Sequence, residues 1–89
     1  MIEKQLEVVN LLGLHARAAA RFVQEASTFE SDINVRFANK EISGKSIMGV
    51  MMLAAANGST VKIEASGEDS GALLIEVEQL VDNYFGETE

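Results

Sequence analysis

The sequence predicts an α+β fold in which helices cover one face of a four-stranded sheet. Three observations lead there. Short stretches alternate apolar with polar residues, as half-buried strands require. Other stretches repeat apolar residues at helical spacing. The two kinds interleave in the order strand, helix, strand, strand, helix, strand, helix.

Ile2, Lys4, Leu6 and Val8 share one face of the first stretch and Glu3, Gln5 and Glu7 the other, which gives a strand. The run Ala16 to Phe29 places Ala19, Phe22, Val23, Ala26 and Phe29 on one helical stripe, entered through Gly13, Leu14 and His15. Ile33, Val35 and Phe37 alternate with Asn34 and Arg36; after a turn region at Asn39 and Lys40, Glu41 to Ser43 pairs back as a hairpin. Ser46 is placed to cap a short apolar helix, Ile47 to Leu53. Asn57 and Gly58 form a turn before Thr60 to Ala65, where Val61, Ile63 and Ala65 alternate with Lys62 and Glu64. After a loop from Ser66 to Ser70, the stripe Leu73, Leu74, Val77, Leu80, Val81 and Tyr84 predicts a last helix that Gly86 ends as a C-terminal cap.

With 89 residues the chain is expected to form one compact domain, residues 1–89, and with few aromatics its core must be mainly aliphatic. Cysteine is absent, which excludes a disulfide framework and cysteine-based zinc ligation and fits a reducing compartment. Glu3, Lys4 and Glu7 break up the N-terminal stretch, unlike the basic end and apolar run of a signal peptide. The longest apolar run, Ile47 to Ala56, is about half the ~20 residues of a membrane helix and contains Gly49. The expected location is the cytoplasm, without membrane insertion.

The net charge of −7 is unevenly spread. All seven basic residues lie in residues 1 to 62 with six of the fourteen acids, and the other eight acids lie in residues 63 to 89. A duplex-binding module shows a basic patch instead, so nucleic acid is not an expected partner. The acidic end reads as a solvated helix face.

The one histidine, His15, stands just before a helix, where unpaired backbone N–H groups and the positive end of the helix dipole attract an anion. Arg17, in the first turn, offers a planar set of donors to phosphoryl oxygens, and the small Ala16, Ala18 and Ala20 leave the approach open. Imidazole is substantially neutral near neutral pH, so a ring nitrogen attacks phosphorus without first losing a proton, and the phosphoimidazole formed is itself a good donor. By spacing alone, a histidine at a helix start is more often a cap or a surface residue.

The local pattern changes that balance. Gly13-Leu14-His15-Ala16-Arg17-x-Ala19, followed by Gly44-Lys45-Ser46-Ile47-Met48-Gly49-Val50-Met51, strongly resembles the two signatures of the histidine-containing phosphocarrier (HPr) family of the bacterial phosphoenolpyruvate-dependent sugar phosphotransferase system. The resemblance extends over essentially the whole chain. It implies an open-faced β-sandwich, a four-stranded antiparallel sheet with three helices on one side. It implies that His15 accepts phosphate on its δ nitrogen from enzyme I, that Arg17 helps hold it, and that enzyme IIA domains receive it. Ser46 matches the family's regulatory serine, modified by a dedicated ATP-dependent kinase/phosphorylase where one is present. Ile47, Met48 and Met51 would form a docking patch beside His15, with Ala16 and Ala20 adjoining and Arg17 and Arg21 on its rim, while Val50 and Leu53 pack inward. The family carries no cofactor and acts as a carrier rather than an enzyme, here expected as a monomer. Ala18 stands where the family usually has proline, and Gln24 and Ser27 where many relatives have lysine.

Other readings weigh less. Gly44-Lys45-Ser46 resembles the end of a phosphate-binding P-loop, but the glycine needed five residues earlier is Asn39. One histidine, no cysteine and no calcium-loop pattern around Glu68 and Asp69 give no metal site. A regulatory module of the nitrogen-related phosphotransferase branch is the alternative function, and an interaction domain with an inert His15 is the blander one. The intact Ser46 segment favours the sugar branch.

Overall fold

The computed structural model describes residues 1–10, 12–53 and 55–86. Its elements follow the predicted order: β1 (Ile2–Glu7), α1 (Ala16–Ala26), β2 (Asp32–Phe37), β3 (Lys40–Ser43), α2 (Ile47–Met52), β4 (Thr60–Ser66) and α3 (Ser70–Asp82), then a tight turn, Tyr84–Gly86. The strands form one sheet in the order β1-β4-β2-β3, with every neighbouring pair antiparallel. The predicted open-faced sandwich is the observed architecture.

Period-two alternation decides which face is covered. Leu6 on β1, Val61, Ile63 and Ala65 on β4, and Ile33 and Val35 on β2 point under the helices and are buried. There they meet Ala19, Phe22, Val23 and Ala26 of α1, Val50 of α2, and Leu73, Val77 and Val81 of α3. Lys4 lies on the same side as Leu6 but at the rim, where its ammonium reaches Glu78 of α3 at 2.5 Å. Among the described residues the opposite face carries no helix and is polar. Lys62 pairs there with Glu3 at 3.1 Å, and Arg36 with Glu41 at 2.8 Å and Glu64 at 3.7 Å, one charge row running across four strands. Glu41 and Glu64 hold the Arg36 guanidinium above its ordinary pKa, the hydrogen bond that Arg36 donates to Glu41 contributing most.

The boundaries shift where local hydrogen bonds compete with the pattern. α1 stops at Ala26, three residues short of the predicted Phe29. Ser27 and Thr28 follow, and the Thr28 hydroxyl and amide both donate to the Glu25 carbonyl, closing the helix with tight turns. Phe29 still packs on the core from outside the helix. The hairpin turn is Ala38-Asn39, and Lys40 already pairs with Phe37 at the start of β3. Ala38 takes φ +56, a left-handed conformation that an alanine adopts at a cost.

The largest correction is at the C-terminal end. The helical stripe predicts Tyr84 as its last inward residue, but α3 ends at Asp82, and Tyr84, Phe85 and Gly86 all adopt positive φ, 58, 54 and 79°. This reversal turns Tyr84 to solvent and drives Phe85 fully into the core. A cap of three left-handed residues follows the helix where one glycine was expected. No helix among the described residues is long and apolar enough to cross a membrane.

Candidate phosphoryl-transfer site

The loop between β1 and α1 is held from three sides. Asn10, fully buried, donates from Nδ2 to the Gly13 carbonyl at 2.7 Å, and the Gly13 amide returns a bond to the Asn10 carbonyl at 3.2 Å. The Asn57 side chain donates to the carbonyls of Val9 and Asn10 at 3.1 and 3.2 Å. The Leu14 amide donates to the Ala55 carbonyl at 2.9 Å, which seats the loop on the chain that leaves α2. Gly13 is buried at φ +70, and a β-carbon there would lie 2.6 Å from the Ala55 oxygen. Only glycine fits both the angle and the approach.

His15 emerges from this frame as the N-cap of α1, half-buried, with extended backbone (φ −80, ψ −177). Its amide is tied back to the Gly13 carbonyl at 3.0 Å, and its carbonyl accepts the first helical bond, from Ala19 at 2.8 Å. Its side chain is not spent on capping. Helix geometry therefore leaves the amides of Ala16, Arg17 and Ala18 no acceptor within α1, beside the imidazole and at the positive end of the helix. Ala16 and Arg17 are exposed and Ala20 is half-buried. Ala18 is fully buried, so it packs under the helix and does not line the approach as the sequence suggested.

Arg21 is exposed and its guanidinium lies against Gly86, where a β-carbon would meet Nη1 at 2.8 Å. It borders a groove between α1 and α3 lined also by Glu25, Glu76 and Asn83.

α2 is built as the sequence indicated. Ser46 is its N-cap, and the Ser46 hydroxyl accepts the Gly49 amide at 3.0 Å. Gly44 is buried, with room for nothing larger: a β-carbon would sit 2.9 Å from the Ile33 side chain and 3.1 Å from the Phe22 ring. The Lys45 ammonium is anchored on the Phe29 carbonyl at 2.8 Å, a structural role unlike that of a P-loop lysine. Val50 and Leu53 face the core, and Ile47, Met48, Met51 and Met52 are exposed, as is Leu12 in the His15 loop. α2 packs beside α1 and on β3.

Sequence reading missed Asn10 and Asn57, the two amides that fix the His15 loop. The available signal was weak: an Asn three residues before a glycine, and an Asn-Gly pair that was read only as a turn.

This geometry coincides with a family match. The family model described as the PTS HPr component phosphorylation site matches residues 2–83. The chain belongs to the HPr family. The phosphocarrier protein HPr of Neisseria meningitidis serogroup A is 44% identical over 89 residues, covering all of both chains. The structure of HPr-C-His from Thermoanaerobacter tengcongensis superposes with a TM-score of 0.95 at 44% identity over 100% of each chain. An HPr dimer from the same organism matches with a TM-score of 0.78 at 45% identity, over 98% of this chain and 100% of that one. As an HPr, the chain is a phosphoryl carrier of the phosphotransferase system and not an enzyme, and it works by interacting with the enzymes of that system.

Proposed function

We propose that His15 carries the phosphoryl group between phospho-enzyme I and enzyme IIA domains in the cytoplasm, as one domain acting as a monomer. A lone pair on the δ nitrogen attacks phosphorus as the bond to the donor breaks. The reverse exchange delivers the group to the acceptor, so each transfer leaves one phosphoryl group and one free imidazole. Amides at the start of α1 and the Arg17 guanidinium stabilise the phosphoryl oxygens while the group is held. Ala16, Ala20, Arg21, Ile47, Met48 and Met51 make the docking surface. Phosphorylation of Ser46 by a serine kinase/phosphorylase adds negative charge at the edge of that surface and weakens docking.

The observation that carries this reading is the N-cap geometry of His15: an imidazole not committed to capping, held at the N-terminus of an eleven-residue helix by a buried, hydrogen-bonded loop. The test is incubation with phosphoenolpyruvate and enzyme I. The protein should gain one acid-labile phosphoryl group, and His15→Ala should gain none while melting at a similar temperature. Acid-labile phosphate on the variant refutes the assignment.

A further inference from the structure

The chain contains four methionines and neither cysteine nor tryptophan, so thioethers are its principal targets for peroxide. Three of the four lie in one helix of six residues, α2. Met48 is 73% exposed, Met52 66% and Met51 41%. The helix and its C-cap make their core contacts through Val50 and Leu53, 0% and 2% exposed, which contain no sulfur. Thioethers and core anchors are thus segregated on α2, which separates oxidation of the surface from damage to the fold.

We propose that Met48, Met51 and Met52 form an oxidation-sensitive modification site whose conversion to sulfoxides switches off docking; this rests on the reading of α2 as part of the docking surface. The oxidant is a peroxide. A sulfur lone pair takes one oxygen as the O–O bond breaks, the sulfur is oxidised to the sulfoxide, and the other oxygen leaves with two protons as water. The product replaces a soft apolar contact with a strong dipole that a partner must desolvate. Methionine sulfoxide reductases reverse the change, so the site is a switch rather than a lesion.

The experiment treats the protein with hydrogen peroxide, removes the excess with catalase before enzyme I is added, maps the sulfoxides by peptide mass, and compares phosphorylation rates with untreated protein. Met48 and Met52 should gain oxygen before Met51, following exposure. The melting temperature should hold, and the rate should fall about tenfold, the scale expected for burying an unsatisfied dipole. Reductase treatment should restore it. In M48L/M51L/M52L the ratio of treated to untreated rate, taken against that variant's own baseline, should stay near one. An unchanged rate in wild-type protein carrying sulfoxides at Met48 and Met51 overturns the proposal, as does an equal loss in the triple leucine variant. Met48→Glu, measured without oxidant, separates the two levels. If it is phosphorylated normally, the docking reading falls and the switch with it. If it is slowed while oxidised wild type is not, the switch alone falls.

Discussion

Gly13→Ala tests whether the His15 loop is held as tightly as its geometry implies. The substitution forces alanine into φ +70, which costs about 1–2 kcal/mol for a residue with a β-carbon. The new carbon would also lie 2.6 Å from the Ala55 oxygen and 2.9 Å from the Ala56 Cα, backbone atoms that cannot rotate away. Relief requires the loop to lift from Ala55, the acceptor of the 2.9 Å bond from the Leu14 amide, at a further cost of about 1–3 kcal/mol for that buried bond. Gly58→Ala is the matched control, since Gly58 sits at φ +89 with nothing within 4 Å of its β-carbon position and should show the conformational cost alone. Chemical denaturation of both variants should place Gly13→Ala about 1–3 kcal/mol below Gly58→Ala, with phosphorylation slowed only in the former because His15 rides on the Gly13 carbonyl. Equal stability losses would mean that the loop yields freely and that its contact with Ala55 does not position His15.

The Asp69 carboxylate accepts the Ser31 hydroxyl and, at 2.9 Å each, the amides of Glu30 and Ser31; these bonds, that from the hydroxyl first, lower its pKa. A lowered folded pKa stabilises above the unfolded value of about 4 and is lost as pH falls from there through the folded value, so Asp69→Asn should flatten the acid limb of a stability–pH curve; an unchanged limb refutes the tether. Ser46→Ala removes the acceptor of the Gly49 amide and should cost about 1 kcal/mol, while Ser46→Asp should keep the cap but slow transfer from enzyme I; an Asp variant with normal transfer would leave Ser46 a cap only. Ala18→Pro should be tolerated in a melting experiment, because the amide of Ala18 has no acceptor within α1; a large loss would reveal a bond outside the helix.

Most of the fold was legible because apolar periodicity and burial have the same cause. Leu6, Val35, Ile63 and Val77 are spaced as they are because one face of each element excludes water. The misread residues are those whose position depends on backbone dihedrals rather than period. Phe85 stands four residues after Val81, but the helix has ended by then, and the path of the chain there is set by three successive residues in the left-handed region, a choice no apolar pattern encodes. Ile2 continues the β1 alternation yet is 40% exposed, at the first residue of an edge strand. At the candidate site, the helix starts at His15 and Ser46 were legible from local spacing. Asn10 and Asn57 were not, because an amide that holds a loop from far along the chain leaves no local spacing to read.

The charge row across the uncovered side of the sheet gives the molecule a front and a back. Gln5 and Asn34 lie on that back, exposed to water, on strands whose opposite side fills the core. Side chains there can be exchanged, labelled or used as a point of attachment without altering either the interior or the His15 end of α1. A fluorophore or surface tether placed at Gln5 would thus report on the carrier, or immobilise it, from the side of the sheet that the helices leave uncovered.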